Sequence, residues 1–221
     1  SWLQISHHYF TSLGVEIPSI KNSKKKKRNK IHVGIVGRIC EEKIPITFFK
    51  RLCELSIQCK NSIQIMIFGK KSDIGEYNHA FHECIDKSNI QLMGFIPTQD
   101  IYHQIDVLVI PSVYETGSFV CLEAFSFGIP VICRNNYGLR KIVKDSIYGY
   151  LCDSDCMILE KIKYINFDEI LDKKDIIREY AEQFQIHEKI KEVESIWLRQ
   201  INFSKNVVIV TSVMNIIKKS L

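Results

Sequence analysis

Residues 105–133 read IDVLVIPSVYETGSFVCLEAFSFGIPVIC. Two apolar runs rich in β-branched residues, IDVLVIP and PVIC, enclose a polar loop and an apolar stretch with helical periodicity. β-Branched residues fit the pleated surface of a sheet, and Gly-Ile-Pro punctuates the end of the helical stretch. A strand, a helix and a second strand in that order predict a crossover between parallel strands. Both runs are apolar on every side, which requires cover on both faces of the sheet.

The same alternation extends outward. IHVGIV ends at Gly37, and PITFFKRLCEL follows it as a helix opened by Pro45, a residue suited to a first turn. IQIMIFG reads as a second buried strand, YNHAFHECIDK as a helix and IQLMGF as a short strand. TQDIYHQ is a helical turn before IDVLVIP. The pattern predicts an α/β fold: a doubly wound, Rossmann-like parallel sheet, whose ligands gather outside the C-terminal strand ends. Beyond about residue 170 no strand pattern continues as far as Ile201. Apolar positions 177, 180, 181 and 184, then 190, 193, 197 and 201, fit two helices broken near Gln185. The tail from Asn202 has no assignment, and no internal repeat is visible.

The chain has 221 residues, 46% of them apolar, the composition of an ordinary globular protein. No apolar stretch reaches the roughly 20 residues of a membrane span. SWLQISHHYF lacks the basic head and apolar run of a secretory signal, and the missing initiator Met points to a fragment of a longer protein. The six cations of KKKKRNK, residues 24–30, exceed the net charge of +5, so the rest of the chain is near neutral. That argues against a nucleic-acid face. The run reads as a solvated linker, with peripheral membrane contact through Lys24, Lys25, Lys26, Lys27 and Arg28 as the sharper alternative. Eight cysteines form no C-x-x-C pair and read as free, mostly buried thiols of a cytoplasmic protein.

Two acids, Glu115 and Glu123, bracket seven residues at the sheet edge that IDVLVIP reaches. Gly117 permits a tight turn there, and Ser118 is an expected helix N-cap. The backbone N–H groups of Phe119, Val120 and Cys121 then stand at a helix start, an anion site strengthened by the helix dipole. Glu123 lies near the same helix start, where a carboxylate is expected to gain from the dipole. Carboxylates accept hydrogen bonds from paired hydroxyls such as those of a sugar ring. GRICEEK, residues 37–43, follows the first strand, so Arg38 and Lys43 reach the same edge and suit a diphosphate. Without a ligand, the acids are a loop Glu and a dipole-favoured Glu, and the cations balance Glu41 and Glu42. Neither GxGxxG nor a Walker A pattern is present.

GR…EK, FG, MGFIP, VLVIPSVYE…LEAFSFGIPVI and YGLRKIVKDSIYGYL follow one another from Ile31 to Leu151. In this order they resemble the C-terminal, donor-binding half of retaining GT-B glycosyltransferases of family 4, the glycosyl transferases group 1. The resemblance implies that Arg38 and Lys43 neutralise a donor diphosphate and that Glu123 binds ribose hydroxyls. Glu115 would stand beside the donor sugar. The backbone around Phe119 and Val120, with Ser118, would cradle phosphate, and the backbone of Ile96 would contact the base. Catalytic duty would fall to Glu115, Arg38 and Lys43. No cofactor and no metal are implied; a nucleotide-diphosphate sugar is the donor, and a glycan or lipid-linked acceptor is its partner. Free thiols point to the cytoplasm, with the inner face of the membrane as the alternative that the basic run adds, and the expected setting is polysaccharide biosynthesis.

The chain departs from the family pattern where Ile44 follows the lysine instead of glycine, where Thr-Gly-Ser-Phe replaces Gly-Phe-Gly-Leu, and at Lys141, often a glutamate. His7 and His8 match no catalytic position, and His32, His79, His82, His103 and His187 read as structural. The implied organisation is a remnant of an N-terminal domain plus basic linker in residues 1–30, a nucleotide-sugar domain in 31–165, helices in 166–201 and an unassigned tail in 202–221. The acceptor domain would lie upstream. A non-catalytic nucleotide-sugar module, an epimerase of the same fold and a scaffold protein are the competing expectations.

Overall fold

The computed structural model describes residues 14–18, 29–71, 76–144 and 146–203. The basic run at 24–28, His7, His8 and the tail from 204 lie outside the described residues. The chain divides into two units, one spanning Val15–Gln183 and the other joining Ser1–Gly14 to Phe184–Leu221.

The larger unit holds a six-stranded parallel sheet in the order β3-β2-β1-β4-β5-β6. Its strands are β1 (Ile31–Val36), β2 (Ile63–Phe68), β3 (Ile90–Gly94), β4 (Val107–Ile110), β5 (Val131–Arg134) and β6 (Gly149–Cys152). Between them run α1 (Ile46–Gln58), α2 (Glu76–Ile85), α3 (Thr98–Gln104), α4 (Phe119–Ser126) and α5 (Tyr137–Ile142), and α6 (Asp155–Lys163) and α7 (Phe167–Glu182) follow β6. The expected doubly wound sheet is present. The sequence reading stopped at five strands; GYLC forms β6 beside β5, and α5 and α6 flank it. GYLC is short and opens on glycine, so its composition carries almost no strand signal.

Successive strand residues face opposite layers. Val33, Ile35, Ile65, Ile67, Val109 and Ile132 join Phe48, Phe49, Leu52 and Phe81 in one core, where the rings of Phe49 and Phe81 stack at 4.1 Å. The other layer contains α3, α4 and α7. There Tyr102 packs on Phe127 at 5.2 Å and Phe125 meets Tyr180 edge-on. Gly34 is required on this side, because a Cβ at that position would come within 2.7 Å of Ile105. Buried Asp106 ties β1 to β4: His32 N–H donates to its carboxylate at 2.9 Å, and Asp106 N–H donates to His32 O at 2.7 Å.

Helix α4 begins with the expected cap, Ser118 Oγ accepting from Cys121 N–H at 3.3 Å. It ends at Gly128, where φ is +71° and Ile129 N–H returns to Ala124 O at 2.9 Å, a Schellman-type stop. In the smaller unit, α8 (Ile186–Phe203) carries the ion pairs Lys189–Glu192 and Lys191–Glu188.

Among the described residues no helix is long and apolar enough to cross a membrane. All eight cysteines are free; Cys53, Cys121, Cys133 and Cys152 are buried, whereas Cys156 is exposed.

Candidate functional site

Strand order reverses between β1 and β4, so the loops after these strands diverge to opposite layers and leave a crevice. A cleft of about 210 Å3 occupies this point. Gly37, Arg38 and Lys43 line it from the β1 side, and Pro111, Ser112, Glu115, Gly117, Ser118, Phe119 and Val120 line it from the β4 side.

The β1 loop is shaped by local bonds. Gly37 and Gly69 end their strands at φ of +142° and +149°, and a Cβ on Gly69 would lie 1.8 Å from Gly37 O. Only glycine lets these two strand ends approach so closely. Lys43 and Ile44 N–H both donate to Cys40 O, which curls the loop back. Glu41 bonds Ile46 N–H at 3.0 Å, so its carboxylate caps α1 rather than balancing a cation of the cleft. Ile44, where the family carries glycine, is a core residue with 1% exposure, and its carbonyl accepts from Tyr77.

Lys43 Nζ meets Glu115 Oε1 at 2.7 Å; the lysine side chain is 32% exposed and the glutamate 10%. This contact replaces the expected compensation of Lys43 by Glu41 or Glu42. Arg38 remains an exposed surface cation, 3.6 Å from Glu42. Glu115 is fixed through its backbone as well, since Gly138 N–H donates to Glu115 O at 3.0 Å. Asn136 Nδ2 donates to Ser112 O at 3.1 Å and so pins the same loop to the start of α5. Among the described glycines only Gly37, Gly69, Gly94 and Gly128 have positive φ, so the turn at Gly117 needs no left-handed residue.

At the start of α4, Ser118 takes the N–H of Cys121, so that group is not available to a ligand as expected. The N–H groups of Phe119 and Val120 make no hydrogen bond to a described residue, and both residues line the cleft. They are orphan donors at the positive end of the helix.

Glu123 and Ile96 do not line the cleft. Ile96 follows edge strand β3, with β2 and β1 between it and the switch point. Glu123 is half-buried, and burial pushes its carboxyl above the ordinary range despite the opposing hydrogen bond from Tyr102. Desolvation therefore outweighs the Tyr102 hydrogen bond at this carboxyl. Tyr102 went unnoticed in the sequence; its O–H lies 2.9 Å from Glu123 Oε2 and 3.1 Å from Val120 O. A buried tyrosine hydroxyl must find a partner, which is the general signal that marks such a residue. Lys141 stacks over the exposed ring of Tyr137 at 4.1 Å. Among the described residues no group of three or more His, Cys, Asp or Glu side chains is placed to hold a metal ion.

The family model for glycosyl transferases group 1 matches residues 16–184. The chain belongs to this family. It is 26% identical over 183 residues to the E. coli UDP-Gal:alpha-D-GlcNAc-diphosphoundecaprenol alpha-1,3-galactosyltransferase, covering 78% of the chain and 46% of the enzyme. It is 25% identical over 165 residues to an uncharacterized 41.2 kDa protein in the cps region of Klebsiella pneumoniae, covering 72% of the chain and 44% of that protein. The chain thus spans less than half the length of these two relatives. Among solved structures, a glycosyltransferase from Rickettsia africae superposes with a TM-score of 0.69 at 16% identity, over 81% of this chain and 49% of that one. A S. aureus TarM mutant in complex with Fondaparinux, alpha-GlcNAc-glycerol and UDP gives 0.68 at 21%, over 84% and 38%. These likenesses establish the fold, the Rossmann-like parallel sheet of one half of the GT-B fold.

Proposed function

We propose that this group 1 chain is the donor-binding half of a retaining glycosyltransferase, and that it takes a nucleotide-diphosphate sugar for transfer to a glycan or lipid-linked acceptor. One observation carries the reading. Lys43, Arg38 and the free N–H groups of Phe119 and Val120 converge on one cleft at the switch point, beside Glu115. A diphosphate placed there meets a point charge, a planar fork and a helix start, three kinds of donor for one anion. Glu115 is left to orient the sugar, while Glu123 and the backbone at Ile96, which lie outside this cleft, are assigned by the family resemblance to the ribose hydroxyls and the base, beyond the diphosphate. The relative named for a UDP-galactose donor and the TarM complex with UDP support the nucleotide part of the proposal.

In this proposal the leaving group is a nucleoside diphosphate. Its developing charge is met by Lys43, Arg38 and the α4 start, all in place before reaction, which is the electrostatic route to a lower barrier. Protein cations and helix donors fill the role that a divalent ion plays elsewhere, so binding is proposed to be metal-independent. No cofactor takes part.

Calorimetric titration of the 221-residue chain with UDP, GDP and ADP, and with their sugar-bearing forms, in the presence of chelator, tests the reading. Binding of at least one nucleotide, weakened by Lys43→Ala, is expected. Failure of all of them to bind, or a strict need for magnesium or manganese, overturns it.

A further inference from the structure

Tyr102 lies on α3; the residue is 1% exposed and its ring packs on Phe127. Its hydroxyl has one proton and two acceptors within reach, Glu123 Oε2 at 2.9 Å and Val120 O at 3.1 Å. An ionised carboxylate is the stronger acceptor, so the proton goes to Glu123 whenever Glu123 is charged. Oε2 is then occupied, whereas Oε1 has no hydrogen-bond partner among the described residues. The contact joins two helices, so it fixes the glutamate side chain against a neighbouring element rather than against its own backbone.

We propose that Tyr102 is a positioning residue: it anchors one oxygen of Glu123 so that the other is presented, in one rotamer, to paired hydroxyls of a bound nucleotide. This rests on the reading of Glu123 as the hydroxyl-binding acid. Without the anchor, the half-buried carboxylate has a second rotamer and a higher affinity for a proton, and both reduce its use as an acceptor. The groups that bear on this ionisation are few. Burial and Tyr102 act on Glu123, and Cys121 of the same helix acts on Tyr102. From α3, His103 packs on Phe127; from α7, Lys174 and Arg178 approach α4 at Gly128.

The test uses the full chain as wild type, Tyr102→Phe and Glu123→Gln, titrated with UDP, GDP and ADP and with their 2′,3′-dideoxy forms between about pH 5 and pH 8. The wild type is expected to prefer the diol form, with affinity lost on the acid side as Glu123 takes up a proton. Tyr102→Phe is expected to cut that preference by about three- to tenfold, the scale of a typical net hydrogen bond, because the lost contact acts on the diol only through Glu123. It leaves the dideoxy ligands unaffected and moves the acid limb to higher pH. Glu123→Gln removes both the preference and the limb. If Tyr102→Phe melts early, 3-fluorotyrosine at position 102 supplies a stronger donor and moves the limb to lower pH. Equal weakening of both ligand forms by Tyr102→Phe, or an unmoved limb, reduces Tyr102 to a packing residue and overturns the proposal. An intact diol preference in Glu123→Gln, or no nucleotide binding by the wild type, removes the underlying reading and the proposal with it.

Discussion

Lys43 and Glu115, 72 residues apart in sequence, form a 2.7 Å ion pair across the point where the strand order reverses. The pair has two consequences. It holds the lysine in the cleft before any ligand arrives, and it sets a carboxylate beside the place proposed for a diphosphate. A ligand phosphate therefore competes with Glu115 for the lysine, and part of the attraction is offset by the acid's own charge.

The competition has a sign that calorimetry can read. Lys43→Ala is expected to weaken UDP, GDP or ADP by tenfold or more, roughly one charge-assisted hydrogen bond. Glu115→Gln frees the lysine and removes a repelling charge, so free nucleotide binds as well as to the wild type or several-fold tighter. The sugar-bearing donor binds more weakly to the same variant, because the group proposed to orient the sugar is altered. A loss of free-nucleotide affinity in Glu115→Gln equal to that in Lys43→Ala would contradict this division.

Gly138 controls the same acid from behind. Its N–H bonds Glu115 O, and a Cβ built on it would lie 2.2 Å from that oxygen. Backbone cannot yield as a side-chain tip does, so Gly138→Ala must displace the Glu115 loop. The expected cost is about 1–3 kcal/mol, as for an overpacked core site, seen as a lower melting temperature. Donor-sugar affinity should fall with it, whereas Ala at exposed Arg140, two positions on, should change neither.

Burial raises the carboxyl of Glu123, which gives a second reading of stability against pH. The native state holds this proton at a pH where the unfolded chain has released it, so stability falls as pH rises through the native value. Below the ordinary carboxylate range the effect is absent, since both states are protonated. Glu123→Gln should therefore raise the melting temperature at about pH 7 and change it little at about pH 4. A lower melting temperature at neutral pH would show that the ionised carboxylate, with its Tyr102 bond, is a net stabilising group.

The sheet was legible because apolar β-branched runs and their glycine stops are local signals, and the same applies to Ser118 as a cap. β6 was not, because GYLC looks like loop and becomes a strand only beside β5. The cleft was legible in part. Arg38, Lys43, Glu115, Ser118, Phe119 and Val120 follow from the ends of two strands that the doubly wound order makes adjacent. Tyr102 over Glu123 depends on how α3 lies against α4, a tertiary relation that no periodicity in either helix encodes. The raised carboxyl of Glu123 was not legible for the same reason: its helix position was visible, its burial was not.

Arg38 and Lys43 should differ in their response to salt. Arg38 is 70% exposed beside an equally solvated Glu42, whereas the side chain of Lys43 is 32% exposed and opposes a glutamate at 10%. Screening acts fully on exposed charges and much less on partly buried ones; the Debye length falls from about 10 Å at 0.1 M to about 3 Å at 1 M. The affinity ratio of wild type to Arg38→Ala for a nucleoside diphosphate should shrink towards one over that range. The ratio for Lys43→Ala should stay largely intact, because its contact is short and shielded. Titrations at four or five ionic strengths decide the point. Parallel decline of both ratios would mean that the bound diphosphate remains in the solvated mouth and never reaches the Lys43–Glu115 pair.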